Sequence, residues 1–450
     1  MADLQRDAPV MSPEREDEGL GYPRPLWSFV AGRRARGPFQ ARVWRSPLRG
    51  PWLTSVFALV LLVGLPVVAL TGLLSYIAYG PRFGQAIPSD VGWLHLPYFD
   101  WPTRPTWLYR LNQGLHVSLG IALVPVVLAK LWSVIPKLFA WPPARSIAEV
   151  VERMSLGLLV GSILFELATG LLNIQYDYVF GFDFYSAHYY GGWVFIAAFS
   201  AHVALKLPIM LRSLRSRSLR EELRTPLAQT RPEPPDEHGL VAADPAEPTI
   251  SRRGALALVA GGSLAVTAVS IGQTLGGSLR RTALLSSRGQ PISDSANDFP
   301  VNRTAETAGI TAKDMGPAWR LTLKGAGAPV VLDRSALLAM PQNTAVLPIA
   351  CVEGWSSVQT WTGVRLRDLA ARAGLANPSQ AFVQSLQVGL GFGSATLTGD
   401  QVLDADSLLA LKVNGSDLAP DHGFPARVIV PALPGVHNTK WVKSIDFGEA

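Results

Sequence analysis

Five long apolar stretches constrain the fold of this chain more than any other feature of its sequence. Such stretches, folded as helices of roughly 20 residues, can span the ~30 Å hydrocarbon core of a bilayer. Only 16% of the 450 residues are charged, and the mean hydropathy of +0.21 is high for a soluble protein. We therefore predict five transmembrane helices, with enough chain left for a separate folded domain. The stretches lie near residues 54–79, 112–136, 150–172, 189–211 and 254–276.

Arginine clusters before the first stretch and after the fourth predict the orientation. Lys and Arg accumulate in cytoplasmic loops, so the N-terminus should be cytoplasmic, and everything after about residue 277 should lie outside the cytoplasm. The net charge of +6 does not indicate a nucleic-acid partner, because no basic recognition helix appears. The clusters are Arg33, Arg34, Arg36, Arg42, Arg45 and Arg49, and then Arg212, Arg215, Arg217, Arg220 and Arg224.

These patterns divide the chain into five parts. The first 20 residues are polar and acidic, so we predict no cleavable signal peptide. Arg252 and Arg253 precede the fifth stretch and are either an internal twin-arginine export signal or simple positive-inside charges. The parts are a cytoplasmic N-terminal segment (1–50), a four-span membrane domain (51–215), a flexible cytoplasmic linker (216–250), a fifth transmembrane helix (251–277) and an extracytoplasmic domain (278–450).

Three histidines fall within the predicted spans, where ionisable side chains are rare and usually functional. His116 lies on the second span, and His188 and His202 lie on the fourth. The 14 residues between His188 and His202 are close to four helical turns, so the two share a face about 21 Å apart. Glu166, midway along the third span, is either a helix-packing hydrogen-bond partner or part of a proton path.

The segment Ser186-Ala187-His188…Ser200-Ala201-His202 resembles the b-type cytochrome subunits of formate dehydrogenase and nickel-iron hydrogenase. In that family the last of four spans supplies one histidine to each of two haems. The resemblance implies a cytochrome b domain over 51–215, with His116 and His188 binding one haem and a quinone or quinol as partner. Residues 51–79 contain no histidine, so His202 lacks the family's partner for a second haem. It binds haem with an unusual partner, pairs with His116, or is an ordinary polar residue.

The single cysteine, Cys351, is open to three interpretations: a plain buried thiol, a nucleophile, or a ligand to a soft metal. It lies in Ile-Ala-Cys-Val-Glu-Gly-Trp-Ser, and it is followed later by His-Gly-Phe-Pro-Ala-Arg from His422 and by Lys-Trp-Val-Lys from Lys440. From Trp319 onward, short alternating strands with helical patches predict a mixed α+β domain.

These three motifs, together with the segment around Asn302, resemble the molybdenum-cofactor domain of the sulfite oxidase family. The resemblance implies that Cys351 binds molybdenum and is the catalytic thiolate. It further implies that the pterin is held by Asn302, Arg303, His422, Arg427, Lys440 and Lys443. The fold is then a four-helix membrane bundle with an additional transmembrane helix, followed by a mixed α+β sulfite-oxidase-like molybdopterin domain.

The residues after Cys351 indicate the reaction. No cation follows the cysteine, and a site without local positive charge holds a divalent anion such as sulfite poorly. Cys-Val-Glu-x-Trp-Ser is similar to the bacterial branch that contains the catalytic subunit of protein-methionine-sulfoxide reductase. We expect a prokaryotic inner-membrane enzyme that takes electrons from quinol through haem b to molybdenum and reduces a small-molecule or protein sulfoxide. The alternatives are a sulfite-type oxidase that donates electrons to the membrane, and a haem-b carrier with a non-catalytic outer domain.

Overall fold

The computed structural model describes residues 37–40, 43–83, 99–141, 146–173, 181–236, 239–286, 295–387 and 392–448. Within these residues, five helices are long and apolar enough to cross a membrane, the fifth running from Arg252 to Leu275 with one break. We call residues 43–286 the helical part. Its helices are α1 (Pro51–Ala78), α2 (Leu108–Leu138), α3 (Ile147–Asn173), α4 (Phe184–Arg215), α5 (Leu219–Glu222), α6 (Arg252–Ala268) and α7 (Gly272–Leu275).

The five long helices alternate in direction. Helix α1 packs against α2 and α4, α3 packs against α4, and α6 packs against α2. The end of α1 and the starts of α2 and α4 meet in one buried cluster through Tyr79, Tyr109 and Tyr185. The N-terminal arginine cluster is placed only in part, because Arg33, Arg34, Arg36 and Arg42 lie outside the described residues.

Residues 295–448, the sheet domain, form two five-stranded sheets. One has the order β2-β1-β10-β5-β6, with β1 and β10 parallel; the other has the order β3-β4-β7-β8, with β9 also on β7. Three short helices, α8 (Arg334–Ala339), α9 (Leu366–Arg372) and α10 (Gly399–Leu403), connect the strands. The strands are β1 (Leu321–Lys324), β2 (Val330–Leu332), β3 (Asn343–Ala350), β4 (Ser356–Arg365), β5 (Gln380–Ser385), β6 (Ser394–Thr398), β7 (Leu408–Val413), β8 (Ser416–Asp417), β9 (Arg427–Ile429) and β10 (Val442–Gly448).

Strand β3 has the burial pattern of a sheet strand and ends next to the cysteine. Ala345, Leu347 and Ile349 are buried, and Thr344 and Val346, at the alternate positions, are exposed. This is the two-residue period of a strand with one buried face. β3 pairs along its whole length with β4. The connection between these two strands carries the only cysteine, so the sheet holds that loop at a fixed place.

The ends of the helices away from the sheet domain are joined by buried polar contacts. Arg252 is 1% exposed and lies 3.5 Å from the Glu222 carboxylate, which also pairs with Arg217 at 2.6 Å. The backbone N–H of Trp52 donates to the Glu233 carboxylate at 3.0 Å. The segment 216–250, predicted as a flexible linker, is thus held against the helix ends at these points, because a buried charge requires a partner.

The loop before α2 attaches the helical part to the sheet domain. The Trp101 indole N–H donates to the Ala432 carbonyl at 2.8 Å. The Arg104 guanidinium pairs with Asp404 at 3.0 Å and with Asp406 at 2.6 Å. Trp101 and Tyr109 belong to the same buried cluster as the central residues of the sheets. The helical part and the sheet domain therefore share one continuous core.

Candidate functional site

Cys351 lies in a tight turn between β3 and β4. The Gly354 N–H donates to the Cys351 carbonyl, and the Cys351 N–H donates to the Trp355 carbonyl, both at 3.0 Å. Gly354 has φ +88°, a conformation that glycine adopts without strain. The cysteine is only 2% exposed. The turn thus presents a thiol in a protected position at the edge of the sheet.

An amide N–H points at the cysteine sulfur. The Asn302 Nδ2 donates to Cys351 Sγ at 2.7 Å. The Trp355 indole N–H donates to Asn302 Oδ1 at 3.1 Å and to the Glu353 carboxylate at 2.9 Å. Because the indole can only donate, it fixes the amide with its oxygen toward Trp355 and its NH₂ toward the sulfur. A sulfur that accepts such a bond is stabilised as a thiolate, the form that binds soft metals.

A second group of predicted residues surrounds His422. Its ring stacks on Phe299 with centroids 3.6 Å apart, and its Nε2 bonds the Asn297 carbonyl at 2.8 Å. Burial, together with the nearby Arg427 charge, lowers the pKa of His422 to about 3. The ring is therefore neutral at physiological pH and, with Nε2 protonated, keeps Nδ1 as an acceptor.

A buried arginine and a half-buried lysine flank this histidine. The Arg427 Nε donates to the Asn438 carbonyl at 3.1 Å, and burial lowers the pKa of Arg427 to about 9. The Lys440 ammonium donates to the carbonyls of Arg303 and Asp421. Burial, and then the like charge of Arg427, lowers the pKa of Lys440 well below its ordinary value. Positive groups that burial and mutual repulsion destabilise in this way form a site that an anion would stabilise.

The remaining two predicted residues are at the surface. Arg303 has an exposed side chain and meets Lys440 through its backbone carbonyl, and Lys443 is exposed on β10. The structure therefore groups Cys351 with Asn302, and His422 with Arg427 and Lys440. Phe299, three residues before Asn302, packs in one cluster with Cys351 and stacks on His422, so it connects the two groups.

Known proteins match the sheet domain. Residues 308–450 match the family model described as "Oxidoreductase molybdopterin binding domain". The chain is 32% identical over 164 residues to the "Uncharacterized oxidoreductase YuiH" of Bacillus subtilis, covering 36% of this chain and 80% of YuiH. The chain belongs to the molybdopterin-binding oxidoreductase family. It is an enzyme, and its cofactor-binding domain is the sheet domain.

Two further relatives match over smaller shares. The catalytic subunit MsrP of the protein-methionine-sulfoxide reductase of Burkholderia mallei is 34% identical over 143 residues, which cover 29% of this chain and 43% of MsrP. Mitochondrial sulfite oxidase of Mus musculus is 38% identical over 96 residues, which cover 20% of this chain and 18% of that protein. The oxidoreductase thus spans less than half of each of these two relatives.

The cysteine turn of the oxidoreductase rests directly on the helical part. The Gln113 side-chain amide in α2 donates to the Val352 carbonyl at 2.6 Å. The Thr274 hydroxyl donates to the Gly354 carbonyl at 2.7 Å. A Cβ added at Gly354 would lie 2.7 Å from the Cβ of Val117 in α2, so only glycine permits this approach. Sequence reasoning missed these contacts, although a glutamine within an apolar span is a signal for them.

His116 and His188 face one another across a cavity next to this junction. Their ring centroids are 6.2 Å apart and their planes are nearly perpendicular, at 86°. The cavity has a volume of about 210 Å³, and Gln113 and Val352 are among its lining residues. It therefore extends from the two histidines to the residue after Cys351.

Each of the two histidines is oriented through its Nδ1. In His116 this atom bonds the Val68 carbonyl at 2.9 Å. In His188 it lies 2.9 Å from the Thr169 hydroxyl and 3.1 Å from the Glu166 carboxylate. Glu166 is thus a partner of a histidine, and the Nε2 atom of each ring remains for another ligand.

His202 lies apart from this pair. It lines a second cavity, of about 810 Å³, toward the other end of the helices. Lys130, Lys137 and Lys206 also line that cavity. The structure therefore brings His116 together with His188 and does not bring His202 to either of them.

Proposed function

We propose that this oxidoreductase is a membrane-bound enzyme that carries electrons from quinol through one haem b to a molybdenum centre, where a sulfoxide is reduced. The observation that carries the proposal is the hydrogen bond from Gln113 to the Val352 carbonyl. Gln113 precedes His116 by three residues, which is about one helical turn, and Val352 follows Cys351 directly. A haem bound at His116 and a metal bound at Cys351 would thus lie close to each other, with the Gln113 side chain between them.

His116 and His188 would hold a haem iron between their two imidazole rings. Metal–imidazole nitrogen distances of about 2.0 Å put two ring centroids roughly 6.3 Å apart across one metal ion, close to the observed 6.2 Å. Nδ1 contacts to a carbonyl and a carboxylate are the usual orienting contacts of metal-bound histidines. The cavity also contains two buried polar atoms without a hydrogen-bond partner, the Trp193 indole nitrogen and Glu166 Oε1. When bound, haem supplies one-electron transfer.

The sheet domain fits the molybdenum cofactor. Cys351 offers the soft, anionic sulfur that molybdenum requires, and Asn302 stabilises its thiolate form. The buried Arg427 and the half-buried Lys440 provide positive charge for an anionic pterin. When bound, the cofactor supplies two-electron oxygen-atom transfer. The roles of Arg303 and Lys443 as surface contacts of the same cofactor, and of His422 as its hydrogen-bond partner, belong to this proposal.

The membrane topology belongs to the same proposal. Five apolar helices with alternating directions are compatible with a multi-pass membrane protein. The positive-inside pattern puts the N-terminus in the cytoplasm and the sheet domain on the outer side of a prokaryotic inner membrane. Gln113, Thr274 and Val117 then lie at the outer ends of their helices, where the cysteine turn contacts them.

A sulfoxide is the substrate class that the site favours. The side chains that contact the cysteine turn include the Asn302 amide, the Trp355 indole and the Glu353 carboxyl. A buried acid two residues from a thiolate repels an anion such as sulfite and tolerates a neutral sulfoxide. The reaction consumes two electrons and two protons and converts the sulfoxide to a thioether and water. The similarity to MsrP supports the same class of substrate.

The test is a pair of assays on purified, cofactor-loaded protein. One follows the reoxidation of chemically reduced haem after addition of methionine sulfoxide, and the other follows haem reduction after addition of sulfite. The proposal predicts rapid reoxidation by the sulfoxide, abolished by Cys351→Ser. Haem reduction by sulfite without reoxidation by sulfoxide would instead indicate a sulfite-type oxidase. Normal haem with neither reaction would indicate an electron carrier with a non-catalytic outer domain.

A further inference from the structure

The second cavity lies between α1, α2, α3 and α4 at the end away from the sheet domain. Its walls are mostly apolar, with Leu156, Leu159 and Val203 among them. Its volume of about 810 Å³ is near the upper end of the roughly 300–1,000 Å³ of an ordinary small-molecule pocket, so it can take a ligand with an apolar tail. This cavity is distinct from the first cavity, which the His116–His188 pair lines.

Polar groups gather at one side of this cavity. His202, Lys130 and Lys206 line it. The Lys130 ammonium is held by the Thr54 carbonyl at 3.0 Å, and Lys206 pairs with Glu152 at 3.0 Å. The occupant should therefore have an apolar body and a small head that exchanges hydrogen bonds with an imidazole and an ammonium group.

The two cavities share a wall. Leu65, Ile163 and Phe195 line both of them. An occupant of the second cavity is thus separated from the His116–His188 pair by single side chains. This proximity suits a redox partner of that pair better than a lipid that serves only as packing.

We propose that the second cavity is the quinol-binding site, with His202 and Lys130 as hydrogen-bond partners of the two ring oxygens and the isoprenoid tail among the leucines. This inference rests on the proposed function, because the bound quinol is the electron donor of the haem. Oxidation of one quinol releases two electrons and two protons. The electrons would pass singly across the shared wall to a haem held by His116 and His188, and the protons would pass to water at the inner surface beside Lys206 and Glu152.

A second haem fits this cavity less well. Among the described residues that line it, His202 is the only histidine, and the Lys130 nitrogen is held by a backbone carbonyl. Met210 also lines the cavity but lies on the same helix as His202, eight residues or about 12 Å further along. Two side chains so placed cannot take opposite sides of one iron.

The test uses photolabelling with an azido-substituted short-chain ubiquinone, followed by mass-spectrometric mapping of the labelled residues. Val203→Trp fills the cavity, His202→Leu removes the polar partner, and Val194→Trp is the matched control. Val194 is on the same helix and 43% exposed, and it lines neither of the two cavities. Haem and molybdenum contents are measured on every variant, together with the rate at which decylubiquinol reduces the haem.

The inference predicts label on residues of the second cavity in the wild type and the Val194→Trp control, and at least tenfold less label in Val203→Trp and His202→Leu. The same two variants should slow haem reduction by decylubiquinol at least tenfold while dithionite reduces their haem normally. Equal labelling of Val203→Trp and Val194→Trp would overturn the inference, and so would loss of one of two haems in His202→Leu. Label at His202 in a protein without haem or molybdenum would instead keep the site and overturn the proposed electron path.

Discussion

The side-chain amide of Gln113 donates a 2.6 Å hydrogen bond to the backbone carbonyl of Val352. The bond joins two segments that are 239 residues apart in the chain. One segment is the apolar helix that carries His116, and the other is the turn that carries Cys351. The cysteine turn is therefore positioned by a helix of the membrane type as well as by its own sheet.

Gln113→Leu removes the donor and leaves the Val352 carbonyl buried without it, which costs about 1–3 kcal/mol at the junction. We expect haem reoxidation by methionine sulfoxide to slow at least tenfold, with haem and molybdenum contents unchanged. The measurement is stopped-flow absorbance of the haem. Asn112→Leu is the matched control, because Asn112 is a buried amide of the same helix that bonds the Thr71 carbonyl at 2.9 Å and not the turn. Equal rates in the two variants would show that the bond from Gln113 to the Val352 carbonyl does not affect haem reoxidation.

Replacement of the facing histidines tests the proposed haem site. His116→Ala and His188→Ala each remove one of two rings whose centroids are 6.2 Å apart, so each variant should lose its b-type spectrum. His202→Ala should keep it, because His202 lines the other cavity. The measurement is the haem content of purified protein by pyridine haemochrome. Haem retained in His116→Ala and lost in His202→Ala would reverse the assignment.

Asn302→Leu tests the bond to the cysteine sulfur. A hydrogen bond to a thiolate withdraws electron density from it and so raises the reduction potential of the bound metal. Without this bond we expect the molybdenum potential to fall by roughly tens of millivolts. The measurement is a redox titration of the molybdenum signal by electron paramagnetic resonance. An unchanged potential in a fully loaded variant would contradict a role for this amide at the metal.

His422 predicts how stability depends on pH. Burial lowers its pKa in the folded protein to about 3, whereas the unfolded chain protonates it near its ordinary value of 6.5. The unfolded state therefore binds the extra proton between these values. The stabilisation of the folded state by neutral His422 is complete above pH 6.5. It is lost as the pH falls toward 3, at up to about 1.4 kcal/mol of unfolding free energy per pH unit.

His422→Gln should therefore have a lower free energy of unfolding than the wild type at pH 7.5. The difference in unfolding free energy between the two proteins should be smaller at pH 4.5. Thermal unfolding of the full chain, followed by near-ultraviolet circular dichroism, measures this. His437 is also buried, which lowers its pKa to about 4, so some pH dependence remains in the variant. Stability curves that run parallel over this range would mean that His422 does not titrate as described.

The sequence predicts the long helices well because a single property, apolar length, determines them. The first apolar stretch was expected near 54–79, and the helix runs from Pro51 to Ala78. The fourth was expected near 189–211, and the helix runs from Phe184 to Arg215. The ends differ by up to five residues, because interfacial and polar side chains continue a helix beyond its apolar part. Cys351 could be singled out because it is the only cysteine and lies in a distinct motif.

The site contacts could not be predicted, because they join distant segments through backbone atoms. Asn297 orients His422 through its backbone carbonyl, and every residue in a sequence offers the same group. Lys440 and Arg427 were expected to hold a cofactor, and that role stays a prediction; their hydrogen bonds are to backbone carbonyls. The positions of these two charges follow from the fold of the whole domain and not from the local motif.

Metal analysis of the intact protein, purified in detergent from cells that make both cofactors, tests the central claim most directly. The account predicts about one molybdenum and about one b-type haem per chain, with molybdenum lost in Cys351→Ser and haem lost in His188→Ala. Each variant should keep the other cofactor. A wild-type protein that contains haem without molybdenum, or molybdenum without haem, would contradict an electron path between the two sites.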